Sequence, residues 1–448
     1  MSSLSRMSNK LRWVLPVAAV AVIVGACELD VSDPQAIREE EASGPAAVPL
    51  TINGVINDVA NMSEHYALYS GMFTDEFILA GTFPTRAEVD NRAINASNAT
   101  IAGEVDESLQ TARRQAFKMD SSFQTFVGDD AFNQADVLDG IAIGKYVNAL
   151  ATLQLGELFC TPVIDAGAEP TSSQAAVERA LTLFQEAETA AADAGLGSWE
   201  QAAMVGQGRA HIFLGSLTGD ATHFDDAAAA VADVDTEHRL LSEFSTNSPA
   251  QFNKVYDLTW GSQNEVIRWT VGDGAQSERD NEKFAEFDEF VGLGIIDPDF
   301  CSSCAFNSNI AVQQQMLYDE PADDIAISKG AHARLIEAEA AIRNGNTGTA
   351  EDLINTLRDS WDDRWSANRF AGVNEPSDVT LTGDTEDDLA TLMGEYARET
   401  WITGTRQENL RRLVEEFGAG SALDLFPERT GDQICYPVTE QEETGGQP

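Results

Sequence analysis

The sequence predicts a mainly α-helical protein, built from stacked helical hairpins with long irregular loop insertions and few short strands. Two observations support this fold class. Apolar residues recur at three- and four-residue steps over most of the chain, which is the spacing of helices with one buried face. The alternation typical of strands is rare and short. Helices are predicted at 51–68, 104–127, 139–159, 174–194, 199–217, 222–234, 325–344, 347–366, 384–403 and 404–416.

Three of these helices share an internal pattern: a small residue, a larger apolar residue four positions later, and another apolar residue three after that. The triplets are Ala180/Phe184/Ala187, Ala227/Val231/Val234 and Ala350/Ile354/Leu357. The spacing resembles the second helix of a TPR hairpin, where a small residue lets two helices approach closely. Any amphipathic helix shows some such steps, but three at comparable positions favour stacked, TPR-like hairpins.

The N-terminus has the pattern of an export signal. Three basic residues precede the apolar run 13–24, which is too short to cross a hydrocarbon core of ~30 Å at 1.5 Å per residue. We therefore predict a lipoprotein signal peptide at 1–26. The run ends in Val-Gly-Ala-Cys, which resembles a lipobox and predicts lipid attachment at Cys27. The alternative is an ordinary secretory signal in which Cys27 is incidental.

Beyond the signal, the chain divides into a tether and one large domain. Residues 27–48 are acidic and contain Pro, Ala and Ser, the composition of a solvated tether. Residues 49–448 are predicted to form a single helical domain with loop insertions at about 70–101 and 238–320. Loops of this length are functional or disordered. The aromatic content of 238–320 argues against disorder.

The charge balance excludes one class of partner. The chain has 28 Lys+Arg and 74 Asp+Glu, a net charge of −46 at pH 7. Such a field repels nucleic acid, so none is predicted as a partner. A heavily solvated surface, which includes adaptation to high salt, is the simplest explanation, and capture of cationic ligands or Ca²⁺ is the alternative. No later stretch is apolar enough to span a bilayer, so membrane contact is expected only through the lipid anchor.

Four cysteines remain after Cys27, an even number that suggests disulfides in an exported protein. We predict the pairs Cys301–Cys304 and Cys160–Cys435. The Cys-x-x-Cys spacing leaves a redox pair or half of a zinc site as alternatives for the first pair. The five histidines show no ligand-like spacing and no βαβ context is present, so neither a metal nor a cofactor is predicted.

Motifs along nearly the whole chain resemble the SusD/RagB family, in that family's order. The segment 27–34, CELDVSDP, is similar to the family's Cys-x-Leu-Asp-Val-x-Asn-Pro opening. The helix at 146–159 runs into Cys-Thr-Pro-Val, similar to an aromatic-Gly-x-Val-Pro turn. Segments 331–340 and 353–358 resemble the Leu-x-x-Ala-Glu-Ala and Ile-Asn-x-x-Arg hairpin, and 434–440 resembles the closing Phe-Pro-Ile-Pro segment.

The most specific part of the resemblance lies near the C-terminus. The matching residues are Glu395, Arg398, Glu399, Gly404, Arg406, Leu410 and Arg412. The sequence departs from the family pattern at Thr400, Thr403 and Asn409, which puts local ion pairing in doubt. Charged groups between packed helices must pair when they are buried. We therefore expect the charged members of this motif to determine the fold rather than to bind a ligand.

The resemblance implies a helical lipoprotein at the surface of the outer membrane, with a SusC-like TonB-dependent receptor as its partner. Such a protein captures a nutrient, a glycan or in some members a peptide, and hands it to the transporter. No catalysis is implied.

A sugar ligand requires flat aromatic faces and a few polar groups that fix its orientation. The predicted aromatic contacts are Tyr256, Trp260 and Trp269. The predicted polar contacts are Asp75, Arg86, Asp90 and Arg92. The alternatives are that these aromatic residues attach the loop to the body and that the charged residues are ordinary surface groups.

Two other classes of function remain open. A helical glycoside hydrolase with paired carboxylates is one, but with 74 acidic residues no spacing is informative, and no catalytic motif is present. A TPR-type protein-interaction scaffold is the other, and it would leave the long aromatic loop unexplained.

Overall fold

The fold consists of helices joined by turns, with a few short strands. The structure is a computed structural model that describes residues 44–74, 76–79, 81–165, 168–261, 267–268, 296–297, 314–361, 376–427 and 429–440. The helices are α1 (Ala47–Phe73), α2 (Pro84–Asp90), α3 (Glu107–Gln124), α4 (Gln134–Leu158), α5 (Ser173–Ala194), α6 (Gly197–Thr218), α7 (Thr222–Val231), α8 (Lys254–Tyr256), α9 (Gly330–Arg343), α10 (Thr347–Asp359), α11 (Thr385–Glu399) and α12 (Arg406–Phe417). None of these described helices is both long and apolar enough to cross a membrane.

Consecutive helices from α3 to α7 pack on one another, and α9 packs on α7, α10 and α11. All nine residues of the three predicted triplets are at most 3% exposed. Glycine allows the close approach of α5 and α6, because a Cβ at Gly206 would clash with the ring of Phe184. The mainly α-helical, hairpin-based fold predicted from the sequence is confirmed.

Two predicted helices have different starts in the structure. The N-terminal helix begins at Ala47 rather than at residue 51, and it continues to Phe73. The predicted helix 325–344 is wrong at its start, because residues Ile325–Lys329 form a strand and the helix begins at Gly330. The backbone of 325–329 pairs with a distant segment, a long-range interaction that overrides the local apolar spacing.

The strands form three two-stranded antiparallel sheets among the described residues. They are β1 (Ile78–Leu79), β2 (Arg239–Ser242), β3 (Ile267–Arg268), β4 (Ile296–Asp297), β5 (Gln314–Gln315) and β6 (Ile325–Lys329). The pairs are β1 with β3, β2 with β6, and β4 with β5. The β1–β3 and β4–β5 pairs therefore attach parts of the long predicted loop 238–320 to each other and to the body.

A disulfide joins Cys160 to Cys435, as the sequence predicted. Backbone hydrogen bonds on both sides of it run from Cys160 N to Tyr436 O at 2.9 Å and from Tyr436 N to Leu158 O at 2.7 Å. The C-terminal segment is thus held against the end of α4. Cys27, Cys301 and Cys304 lie outside the described residues, so the lipid attachment and the second predicted pair stay predictions.

The charged motif near the C-terminus is buried and paired. Arg412 is fully buried and donates two hydrogen bonds to Glu339 of α9, at 2.6 and 2.7 Å. Glu395 accepts from both Arg358 of α10 and Arg398 of its own helix. These ion pairs connect α9 to α12 and α10 to α11, so the predicted structural role of the motif is confirmed. We call this set the buried charge network.

The departures from the family pattern are accommodated within the network. The Asn409 side-chain oxygen accepts hydrogen bonds from Arg412 at 3.0 and 3.2 Å, so the amide fills the acceptor role of a carboxylate. The Thr403 hydroxyl donates to the backbone oxygen of Thr400 at 2.7 Å. Arg412 therefore keeps its partners despite Asn409, and Thr403 bonds the local backbone instead of a charged group.

Candidate functional site

Residues 253–261 form a compact turn, which we call the aromatic turn, that presents two of the predicted ligand-binding residues. Asn253 begins it: its side-chain oxygen accepts from the backbone N–H groups of Val255 and Tyr256, at 2.8 and 3.4 Å. One turn of α8 follows and passes into a π-helical turn at Asp257–Gly261. Tyr256 and Trp260 both remain partly exposed. Single π-helical turns are frequent at functional sites, because they re-aim side chains at a cost in regular geometry.

Gln315 holds the far end of the aromatic turn. Its backbone oxygen accepts from the indole N–H of Trp260 at 3.0 Å, and its side-chain amide donates to Thr259 at 3.0 Å. The Gln315 side-chain nitrogen also donates to the backbone oxygen of Tyr318, and its side-chain oxygen accepts from the Tyr318 backbone N–H, at 2.8 Å each. The polar edge of Trp260 is therefore fixed by protein contacts, which leaves the partly exposed ring face as the portion that a ligand can stack on.

The aromatic turn is attached to α1 through Glu64. This carboxylate is 8% exposed and accepts from the backbone N–H of Lys254 at 2.7 Å. Burial raises the pKa of Glu64 to about 8, although the N–H and the charge of Lys254 lower it. The Lys254 ammonium and the Asp257 carboxylate, 3.4 Å apart, are both more than a third exposed, so they form a polar rim on the turn.

A second polar group surrounds Arg86 of α2. Arg86 Nε donates to the Tyr69 hydroxyl at 3.2 Å, and its Nη2 lies 3.5 Å from Glu104. Tyr69 also donates to Glu104, which lies in the other π-helical turn of the described chain, Ile101–Asp106. Phe83 is 40% exposed, with the Arg86 guanidinium carbon 4.8 Å from its ring centroid. The group thus combines an exposed aromatic ring with a partly exposed carboxylate.

His65 of α1 lies between these two groups. Burial lowers its pKa to about 4; Glu104 opposes this shift, and the charges of Lys254 and Arg86 add to it. The His65 ring centroid is 6.3 Å from that of Tyr69, which bonds Glu104, and the neighbouring Glu64 bonds Lys254, so both groups lie beside the same stretch of α1. We therefore treat the exposed or partly exposed Phe83, Glu104, Tyr256 and Trp260 as one surface and call it the binding face. The buried Arg86 positions Phe83 and Glu104.

The turn between α11 and α12 is connected to the aromatic turn by hydrogen bonds. Ile402 has φ of +49°, a strained backbone conformation for a β-branched residue. Its N–H donates to Glu76 at 3.0 Å, and its carbonyl accepts from the Tyr318 hydroxyl at 3.3 Å. Tyr318 in turn contacts Gln315, so the aromatic turn is connected to the C-terminal helices by a continuous set of hydrogen bonds.

Two predicted polar contacts lie elsewhere. Arg92 is 7% exposed and donates to the carbonyls of Gln433 and Pro427, at 2.8 and 3.0 Å. Asp90 is 9% exposed, and its carbonyl accepts from Arg429 at 3.0 Å. Both residues hold the C-terminal segment in place, so neither side chain belongs to the binding face. Of the predicted set, Arg86 contacts α1 through Tyr69, and Tyr256 and Trp260 lie on the aromatic turn, which contacts α1 through Glu64. Asp75 and Trp269 lie outside the described residues.

Sequence reasoning missed several members of the site. His65 and Tyr69 lie on α1, Phe83 precedes α2, and Glu104 lies in a π-helical turn, so only the folded structure brings them together. Phe83 directly precedes Pro84, the first residue of α2. A proline that starts a helix was the one sequence signal that could have indicated a fixed position for this aromatic residue. The spacing of apolar residues does not distinguish the π-helical turn around Glu104 from an α-helix, so the sequence did not predict it.

A separate groove of about 540 Å³ lies between α3, α4 and α5. Val127 and Ile141 contribute apolar surface to it, and Lys145, Glu186 and Asp193 contribute charged groups. Lys145 pairs with Glu186 at 2.8 Å. The groove is the kind of surface that a TPR scaffold uses for a peptide partner.

Comparison with known proteins identifies the fold. No family model matches the sequence, and no curated protein does. A SusD homolog from Bacteroides thetaiotaomicron VPI-5482 is similar in structure, with a TM-score of 0.62 at 11% identity, over 90% of this chain and 96% of the other. NanU from B. fragilis has a TM-score of 0.57 at 14% identity, over 90% and 94%. A SusD-like carbohydrate binding protein from Bacteroides vulgatus ATCC 8482 has 0.50 at 13%, over 82% and 83%.

The likeness extends over nearly the whole chain, at identities that bear on fold alone. It agrees with the order of the sequence motifs and with the buried charge network that they form. This chain therefore has the SusD-like fold.

Proposed function

We propose that this chain is a substrate-binding protein of the cell surface, which captures an oligosaccharide on its binding face and delivers it to a SusC-like TonB-dependent transporter. The observation that carries the proposal is the binding face itself. It combines partly exposed aromatic rings with the partly exposed charged side chains of Glu104, Lys254 and Asp257, on a SusD-like fold.

The chemistry of the binding face suits a sugar. A pyranose presents a flat C–H surface that stacks on an aromatic ring, and its hydroxyls both donate and accept hydrogen bonds. Tyr256, Trp260 and Phe83 offer ring surface, while Glu104 and Lys254 offer an acceptor and a donor. Tyr256 is partly exposed, and its hydroxyl can both donate and accept a hydrogen bond.

The remaining parts of the proposal rest on the sequence and on one structural relative. The signal-like segment 1–26 and the lipobox-like residues that end at Cys27 support a lipid anchor in the outer membrane. The structural relative described as a SusD-like carbohydrate binding protein supports a glycan rather than a peptide as the ligand. Capture and transfer need no covalent chemistry, so the proposed protein is not an enzyme.

The test is a binding screen followed by site-directed variants. The chain from residue 28 onward is screened on a glycan and peptide array, and the selected ligand is titrated by calorimetry. We expect a glycan to be selected and Tyr256→Ala to weaken it about 10-fold, since a lost aromatic contact is worth roughly 1.4 kcal/mol.

Phe117→Ala is the matched control. Phe117 is 55% exposed on α3, and it lies about 20 Å along the helix from Glu104 at 1.5 Å per residue. An unchanged affinity is expected for it. Equal losses in both variants, or selection of peptides alone, would refute the glycan proposal. Turnover of the bound glycan that a single carboxylate substitution abolishes would favour a hydrolase instead. Protein binding in the α3–α5 groove, with no small ligand selected, would favour a scaffold.

A further inference from the structure

The hairpin of α6 and α7 brings together three side chains whose sequence spacing gave no sign of a site. His211 lies on α6, and His223 and Asp226 lie one turn apart on α7. The Nδ1 atoms of the two histidines are 3.0 Å apart. A carboxylate oxygen of Asp226 completes a set of three ligand atoms that all lie within 4.8 Å of one another.

We propose that His211, His223 and Asp226 bind a divalent transition-metal ion, with Zn²⁺ as the best fit. Two imidazole nitrogens and one carboxylate oxygen are a donor set that Zn²⁺ accepts and that Ca²⁺ and Mg²⁺, which prefer oxygen ligands, do not. The site is distinct from the binding face, and it does not depend on the proposed capture of a glycan.

The distances suit a metal with little rearrangement. Two nitrogens that each lie ~2.1 Å from a tetrahedral zinc ion are separated by roughly 3.4 Å. The observed 3.0 Å therefore needs to widen by only a few tenths of an ångström, a small rotation of either ring. Both histidines are partly buried and Asp226 is exposed, so the site is open to solvent on one side and has room for a water as fourth ligand.

The backbone around the site is held by other contacts, which reduces the cost of organising it. Asp220 accepts from the backbone N–H and the hydroxyl of Thr222, at 3.0 and 2.8 Å, and so fixes the start of α7. The ring of Phe224, next to His223, lies 3.8 Å from the guanidinium carbon of Arg343. His223 and Asp226 share one helix face because they are three residues apart. Ligands on two rigid, packed helices are well placed for a metal.

The test is a zinc titration of the full-length chain, purified in detergent and stripped with a chelator, in competition with a chromophoric chelator. Excess Mg²⁺ is present throughout, because a chain with a net charge of −46 attracts cations everywhere on its surface. We expect one zinc-binding event per chain that His211→Asn and His223→Asn each weaken at least about 10-fold, and that Asp226→Asn weakens less. Substitution with Co²⁺ should give a visible absorption band that both histidine variants lose.

Asp225→Asn is the matched control, since Asp225 is an acidic neighbour on the same helix that contacts Asn344 instead. Its zinc affinity should equal that of the unmodified chain, and far-ultraviolet circular dichroism shows whether each variant is folded. Zinc binding that is indifferent to both histidine variants would overturn the proposal, because it would place the metal elsewhere, for example on thiols. An equal loss in Asp225→Asn and Asp226→Asn would overturn it too, as the mark of diffuse surface charge.

Discussion

The buried charge network and the binding face use the same residue types for opposite purposes. In the network, Arg412 and Glu339 are fully buried and bonded twice to each other. At the binding face, the Glu104 side chain is 33% exposed, while Arg86, 3.5 Å from it, is buried. Complete pairing in the interior stabilises a unique helix packing, whereas an exposed carboxylate at the surface can still accept hydrogen bonds from a ligand. Exposure, more than residue type, separates structural charges from functional ones.

The largest expected effect is in the network. Glu339→Gln removes the charge that neutralises Arg412 and Arg343 in the interior. Removing one partner of a buried ion pair leaves the other uncompensated, at a cost of about 3–5 kcal/mol. The measurement is the free energy of unfolding in urea. A loss below about 1 kcal/mol would show that water reaches these groups and that the network is not a structural element.

The disulfide should have the next largest effect. Cys160 and Cys435 are 275 residues apart in sequence, so their bond restricts the unfolded chain over most of its length. The double variant Cys160→Ser/Cys435→Ser should lose about 2–4 kcal/mol. Thermal unfolding with and without a reducing agent measures this loss: reduction should lower the midpoint of the unmodified chain to near that of the variant. An unaltered midpoint in the double variant would contradict the prediction.

Glu64, which attaches the aromatic turn to α1, should make the free energy of unfolding depend on pH. The pKa of Glu64 is raised from 4.5 to about 8 in the folded state, so the folded chain holds a proton that the unfolded chain releases. The stability due to Glu64 is therefore fully present below about pH 4.5 and is lost as pH rises through about pH 8. Glu64→Gln should flatten the fall in unfolding free energy over this range. A parallel fall in both chains would refute the shifted pKa.

The smallest effect is expected at a surface ion pair. Arg179 lies 2.8 Å from Asp165, and their side chains are 41% and 62% exposed. Solvent screens such a pair, so Arg179→Ala should change the free energy of unfolding by only about 0.2–1 kcal/mol. This variant is the reference for Glu339→Gln, because both remove one partner of an ion pair. Similar losses in the two variants would remove the distinction between buried and exposed charges.

Predictions from the sequence were correct for features that depend on residues close in the chain, and for buried charges, which must be paired. Helix periodicity predicted the buried triplets, and the need to pair interior charges predicted the role of Glu395 and Arg412. It failed where distant segments meet. The pairing of 325–329 with 239–242 replaced one predicted helical turn, and the C-terminal segment covered Arg92. His211 and His223 are likewise close only because a turn joins α6 to α7, and the spacing of histidines in the sequence does not predict that contact.

The two regions are separable: the buried charge network is responsible for stability, and the binding face is responsible for capture. The most direct measurement compares, for the glycan selected on the array, the affinities of Tyr256→Ala and Glu416→Gln in their folded states. Glu416 pairs with Arg343 at the edge of the network, at 2.7 Å, so its variant should lose about 1 kcal/mol of stability. We predict that Tyr256→Ala weakens binding about 10-fold while Glu416→Gln leaves it unchanged. Loss of affinity in Glu416→Gln with retention in Tyr256→Ala would contradict the account.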